Sequence, residues 1–157
     1  MSISGVLIWQ GLNYEGVDPF YPTVYGSVFD PVSVQQKVDT CSVKTEISGY
    51  FQYYTASTCA GDRNYEDDDV ENIGENADLF DMIRDAWEVK PYTSVFGLSK
   101  DGRPIYGPYY GNKKIYTDCE VDVCNGKVIN GHYSYVSTMF HPYTMGCFGP
   151  GNNPPYS

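Results

Sequence analysis

The chain has 157 residues, a net charge of -10 and 41% hydrophobic residues, a size and composition suited to one domain with its own core. Its acidity argues against nucleic acid as a partner, and no apolar run approaches the ~20 residues that a membrane-spanning helix needs. Sixteen tyrosines, sixteen glycines and ten prolines point to short strands and many turns, a mainly β fold.

Residues 3–9 (ISGVLIW) read as a strand, with Ser4-Gly5 as its leading turn. Residues 13–31 are loop-rich and carry Tyr14, Phe20, Tyr21, Tyr25 and Phe29 among glycines and prolines. These rings read as a loop folded onto the sheet, or alternatively as flat faces on which sugar rings stack. A strand at 50–54 (YFQYY) then lies between Cys41 and Cys59.

Residues 60–90 hold 11 acids against 3 bases, a net of -8 out of the chain's -10. Within them Asp62, Asn64 and Glu66 imitate the first ligands of an EF-hand loop. Asp67 stands where the turn glycine belongs and Ile73 where the bidentate acid belongs, so 61–72 reads as a solvated acidic loop. An irregular calcium site is the alternative.

Leu79, Met82, Ile83, Ala86 and Trp87 then recur at helical spacing, which predicts one amphipathic helix over about 76–89. Asn76 suits the N-cap, Asp78 and Asp81 suit the positive end of the dipole, and Lys90-Pro91 end the run. Residues 94–98 (SVFGL) and the Asp101-Gly102 turn predict a hairpin into the next strand. The matching strand ahead of Gly5 has no room, since four residues precede it, and residues 1–20 carry no signal-peptide pattern. Both features give the expectation that a segment precedes Met1 in the precursor.

The chain says nearly the same thing twice. Val38-Asp-Thr-Cys41 leads to a glycine, an aromatic strand and Cys59; Val121-Asp-Val-Cys124 leads to the same series and Cys147. The lead-ins match as well, GVLIW from Gly5 against GRPIY from Gly102. The expectation is a single domain over 1–148, built of two pseudo-repeated disulfide-bonded halves in a sheet or sandwich-like fold. The halves are about 1–60 and 92–148, joined by the acidic loop and helix of 61–91, and 149–157 is a proline- and glycine-rich tail.

Five cysteines without a CxxC pair, and only two histidines, do not make a structural zinc site, and no cofactor is implied. Their matching places favour Cys41–Cys59 and Cys124–Cys147, each bridge worth about 3 kcal/mol by chain entropy. A cross-paired arrangement between the halves stays open at this point. Cys119 is then unpaired or bonded to another chain. Disulfides imply a secreted or cell-surface setting, and no Asn-x-Ser/Thr sequon is present.

Residues 101–147 resemble the YHYH domain family, named for a Tyr-His-Tyr-His strand. The resemblance lies in DGRPIYGP from Asp101, DVCNG from Asp122, YSYV from Tyr133 and PYTMGCF from Pro142. The first half is similar more weakly, through Gly5–Trp9, Asp39-Thr-Cys41 and Phe51-Gln-Tyr-Tyr54. The resemblance implies a fold and a secreted setting but no established activity. Where the family has histidines, this chain has Ser134 and Val136, and in the first half Gln52 and Tyr54. Lys127 replaces a further histidine. Serine, valine and glutamine do not substitute for imidazole in metal binding or proton transfer.

His132, His141, Ser134, Ser137 and Asp122 can be written as a Ser-His-Asp set, but without a nucleophile elbow. The chain is therefore read as non-enzymatic: an extracellular structural protein that assembles with copies of itself into a filament or surface layer. A sheet short of one strand offers its edge to a neighbour. The alternative is a secreted carbohydrate- or calcium-binding module, with Tyr106, Tyr109 and Tyr110 beside the 13–29 aromatics.

Overall fold

The computed structural model describes residues 1–13, 16–22, 36–45, 49–59 and 76–150. The acidic loop with Asp62, Asn64, Glu66, Asp67 and Ile73, the rings of Tyr14, Tyr25 and Phe29, and the tail beyond Pro150 lie outside them.

The fold is mainly β. Three short strands, β1 (Leu7–Ile8), β2 (Val43–Thr45) and β3 (Phe51–Tyr53), form one sheet in the order β1-β3-β2. After the helix α1 (Asn76–Glu88) come β4 (Val95–Leu98), β5 (Pro104–Tyr106), β6 (Tyr109–Tyr110), β7 (Lys114–Ile115), β8 (Gly126–Ile129) and β9 (His132–Val136). Four of these make a second sheet in the order β4-β5-β9-β8, and β6 pairs β7. Both larger sheets are mixed. β1 runs parallel to β3 and β5 parallel to β9, while β2 and β8 pair with β3 and β9 antiparallel.

Turn chemistry explains where the strands stop. The strand expected over 3–9 is only Leu7–Ile8, because Ser2 N–H donates to Val6 O at 2.9 Å and closes a turn around Gly5 at φ 84°. The same turn precedes β5, with Ser99 N–H on Arg103 O at 2.9 Å and Gly102 at φ 80°. Met1–Ile3 is consequently not part of β1. It lies along β4, with a bridge between Ser2 and Gly97 and a bond from Ile3 N–H to Phe96 O at 3.0 Å. The two sheets are thus hydrogen-bonded edge to edge through the first three residues. The strand expected over 50–54 is 51–53.

The helix covers 76–88 and buries Leu79, Ile83, Ala86 and Trp87. Phe80, outside the expected stripe, is buried too, whereas Met82 is only half-buried. Phe80 belongs to an aromatic cluster with Phe20 and Tyr143, whose ring centroids lie 5.0 to 5.6 Å apart. Trp87 meets Phe96 edge-on at 6.1 Å, and its indole N–H donates to Ser57 O at 2.9 Å. One helix therefore binds the first cysteine loop and the second sheet into a common core.

Candidate functional site

Disulfides join Cys41 to Cys59 and Cys124 to Cys147, and Cys119 is a free, exposed thiol. Each bridge sits beside an aspartate with the same task. Asp39 Oδ1 accepts from the N–H groups of Cys41 (2.9 Å) and Val43 (2.7 Å); Asp122 Oδ1 accepts from Cys124 (2.9 Å) and Gly126 (2.7 Å). The residue after each cysteine, Ser42 or Asn125, takes a positive φ, 64° and 59°. Asp and its Asx turn thus start each cysteine loop.

Three of the groups that sequence offered for catalysis, Ser134, Ser137 and Asp122, are hydrogen-bonded within the fold. Ser134 Oγ donates to His132 O, Ser137 Oγ donates to Tyr143 O at 2.9 Å, and Asp122 Oδ2 accepts from Tyr133 O–H at 2.6 Å. His132 opens β9 on the surface, and His141 precedes the cis Pro142. Gln52, Tyr54, Ser134 and Val136 are all buried, and Gln52 Nε2 donates to Tyr54 Oη at 2.9 Å. Lys127 instead places its ammonium over the rings of Tyr110 and Tyr116, 4.9 and 5.0 Å from their centroids. No cluster of three metal-ligating side chains occurs among the described residues.

The expected sugar platform divides. Phe20 and Tyr109 are buried, Tyr110 packs against Tyr116, and Tyr21 lies exposed over Phe80. A cleft of about 310 Å³ nearby is walled by Tyr92, Tyr109 and Tyr110, with Glu88 and Lys113 at its rim. Tyr106 does not line it.

A larger groove of about 540 Å³ lies where the two sheets meet. Leu7, Ile8 and Trp9 form one wall, Leu98 and Ile105 the other, and Met145–Phe148 flank it, held by the Cys124–Cys147 bridge. Trp9 is 41% exposed, Leu98 54% and Phe148 57%, a contiguous apolar surface that composition alone did not reveal. Lys100 is the single charged side chain in the lining, and no carboxylate lines it.

The groove is bounded by a strand edge. Among the described residues, β1 is the outer strand of its sheet. Trp9 N–H donates to Tyr53 O at 2.8 Å, and Leu7 and Ile8 register with Gln52 and Tyr53. Backbone alternation then turns the N–H and C=O of Ile8 away from β3 and toward the groove. Compared with family models, curated proteins and solved structures, the chain matches none of them.

Proposed function

We propose that this chain is a non-enzymatic, extracellular structural unit that assembles with copies of itself, and that its family is the YHYH-type domain its motifs resemble. The observation that carries the reading is the exposed apolar groove between the two sheets, which no carboxylate lines, on a chain of net charge -10. Copies repel one another chiefly through residues 60–90, which hold -8 of the net -10. They approach most easily where apolar area is gained and no carboxylate is desolvated. The two disulfides suit an oxidising compartment, and the described residues contain no helix long and apolar enough to cross a membrane. Exposed Cys119 supplies a group for a cross-link between neighbours.

Native mass with and without reductant tests the reading. Polymers or a ladder of sizes are expected, with partial collapse on reduction if Cys119 bridges copies. A monomer of 17.6 kDa under both conditions overturns it. The cleft beside Tyr92 favours a second reading, a carbohydrate-binding module in which the exposed ring stacks on a sugar and Glu88 and Lys113 bond its hydroxyls. A glycan array that saturates with wild type and fails with Tyr92→Ala would support that reading.

A further inference from the structure

Gly149 and Pro150, after the second cysteine bridge, are held in a seat built on β9 and the turn before β5. Asp101 arranges that seat. Its Oδ2 accepts the Tyr135 hydroxyl at 2.7 Å and lies 3.5 Å from Arg103 Nε. With its proton committed to Asp101, the Tyr135 oxygen is left to accept, and it takes the Gly149 N–H at 2.7 Å. Arg103 Nη2 donates to Pro150 O at 3.0 Å. Between these two bonds Gly149 lies against the ring of Tyr133, which is fixed by its bond to Asp122 and by the Arg103 guanidinium over its face.

The seat reads two adjacent residues through their backbone. A Cβ on Gly149 would lie 2.1 Å from Tyr133 Cε1, and one on Gly126 would lie 1.8 Å from Tyr133 Oη, so the ring has little room to yield. Only glycine therefore fits the first position. Proline suits the second, because it brings no N–H to leave unpaired beside a guanidinium, which can only donate. Ahead of the seat the chain is anchored covalently at Cys147, and Phe148 between the two is 57% exposed. The segment is thus able to lift at Phe148 while the bridge and β9 stay in place. The same residues of a second copy present the same backbone groups, so exchange between copies conserves both hydrogen bonds and the glycine contact.

We propose that Tyr133, Tyr135 and Arg103 form a recognition site for a Gly-Pro segment, and that copies of this chain join by trading residues 148–150 between such seats. This rests on the assembly reading above and names one contact by which a neighbour is held. In a lone copy the tethered segment fills its own seat at a high effective concentration, which a single incoming segment does not match. Reciprocal exchange between two copies restores that advantage, since the second segment is then tethered by the first.

The test uses full chains from which one partner of the contact is removed at a time. Gly149→Val unseats the chain's own segment and leaves the seat; Arg103→Met keeps the segment and removes the seat's donor. Both are checked by circular dichroism, and Tyr135→Phe, which removes the acceptor of the Gly149 N–H, replaces Arg103→Met if that variant does not fold. An equimolar mixture is expected to form one-to-one pairs in analytical ultracentrifugation that neither variant forms alone. A fluorescein-labelled, acetylated peptide, FGPGNN, which copies residues 148–153, is expected to bind Gly149→Val saturably and wild type about tenfold or more weakly, because wild type's own segment competes. Changing the peptide's glycine to valine is expected to weaken its binding to Gly149→Val by a similar factor. A peptide that does not saturate, equal binding of the valine peptide, or a mixture that pairs no more than its components overturns the proposal whatever the mass of wild type. Pairing in the mixture beside a wild type that stays monomeric upholds the seat while sinking the assembly reading.

Discussion

Asp39 and Asp122 show how much one side chain decides. Both begin a cysteine loop by accepting two backbone N–H groups, but Asp122 also accepts the Tyr133 hydroxyl at 2.6 Å. Tyr133 in turn packs its ring edge-on against Tyr135 at 5.6 Å and lies under the Arg103 guanidinium at 4.6 Å. Tyr135 donates to Asp101 Oδ2 at 2.7 Å and accepts from Gly149 N–H at 2.7 Å. Asp122→Ala removes one more charged hydrogen bond than Asp39→Ala and loosens this tyrosine pair. The expected loss is about 2–3 kcal/mol for Asp122→Ala against about 1–2 kcal/mol for Asp39→Ala, read by urea denaturation. Equal losses would mean that the Tyr133 bond adds nothing. The Val-Asp-x-Cys motif made these aspartates visible in sequence, but the partner Tyr133 is eleven residues away and was legible only as a strand residue.

At the scale of elements, α1 is the piece on which the halves depend. Trp87 lies over Gly107, where an added Cβ would sit 2.2 Å from Trp87 Cε3. Gly107→Ala therefore forces the indole aside, disturbing its contact with Phe96 and its bond to Ser57 O. A loss of about 1–3 kcal/mol is expected, with a red shift of Trp87 emission as the ring gains water. Unchanged stability and emission would show that this packing has slack. The helix was legible because its apolar positions repeat at one period, and its end was legible from Lys90-Pro91. Phe80 was missed because the cluster it joins comes from Phe20 and Tyr143, distant in sequence and silent in any local pattern. The β8–β9 hairpin had a strong local signal that went unused, Asn130-Gly131 with both residues at positive φ. The groove beside β1 was not legible. Its other walls, Leu98, Ile105 and Phe148, come from the opposite half of the chain.

For the whole molecule, tyrosine is both the packing material and the point of weakness at high pH. Burial, and then the Asp18 carboxylate that accepts its hydroxyl, push the Tyr143 phenol well above its ordinary value. Burial and Asp122 do the same for Tyr133, burial and Asp101 for Tyr135, and burial and Glu120 lift Tyr116 to about 12. Tyr143 and Asp18 also tie the second half to the first. A phenol whose folded pKa is raised loses nothing below the unfolded value of about 10, where both states keep the proton. Between about 10 and the raised folded values, the unfolded chain ionises and the folded chain does not, so each such tyrosine erodes stability as pH climbs. Urea midpoints are therefore expected to hold level to about pH 9.5 and to fall steeply toward about pH 12. In the absence of urea, the tyrosinate absorbance of these phenols should rise together with the loss of near-ultraviolet dichroism, because they ionise by unfolding. Complete tyrosinate formation near pH 10 with the dichroism intact would show that the phenols are freely hydrated, and that the aromatic core does not join the halves as described.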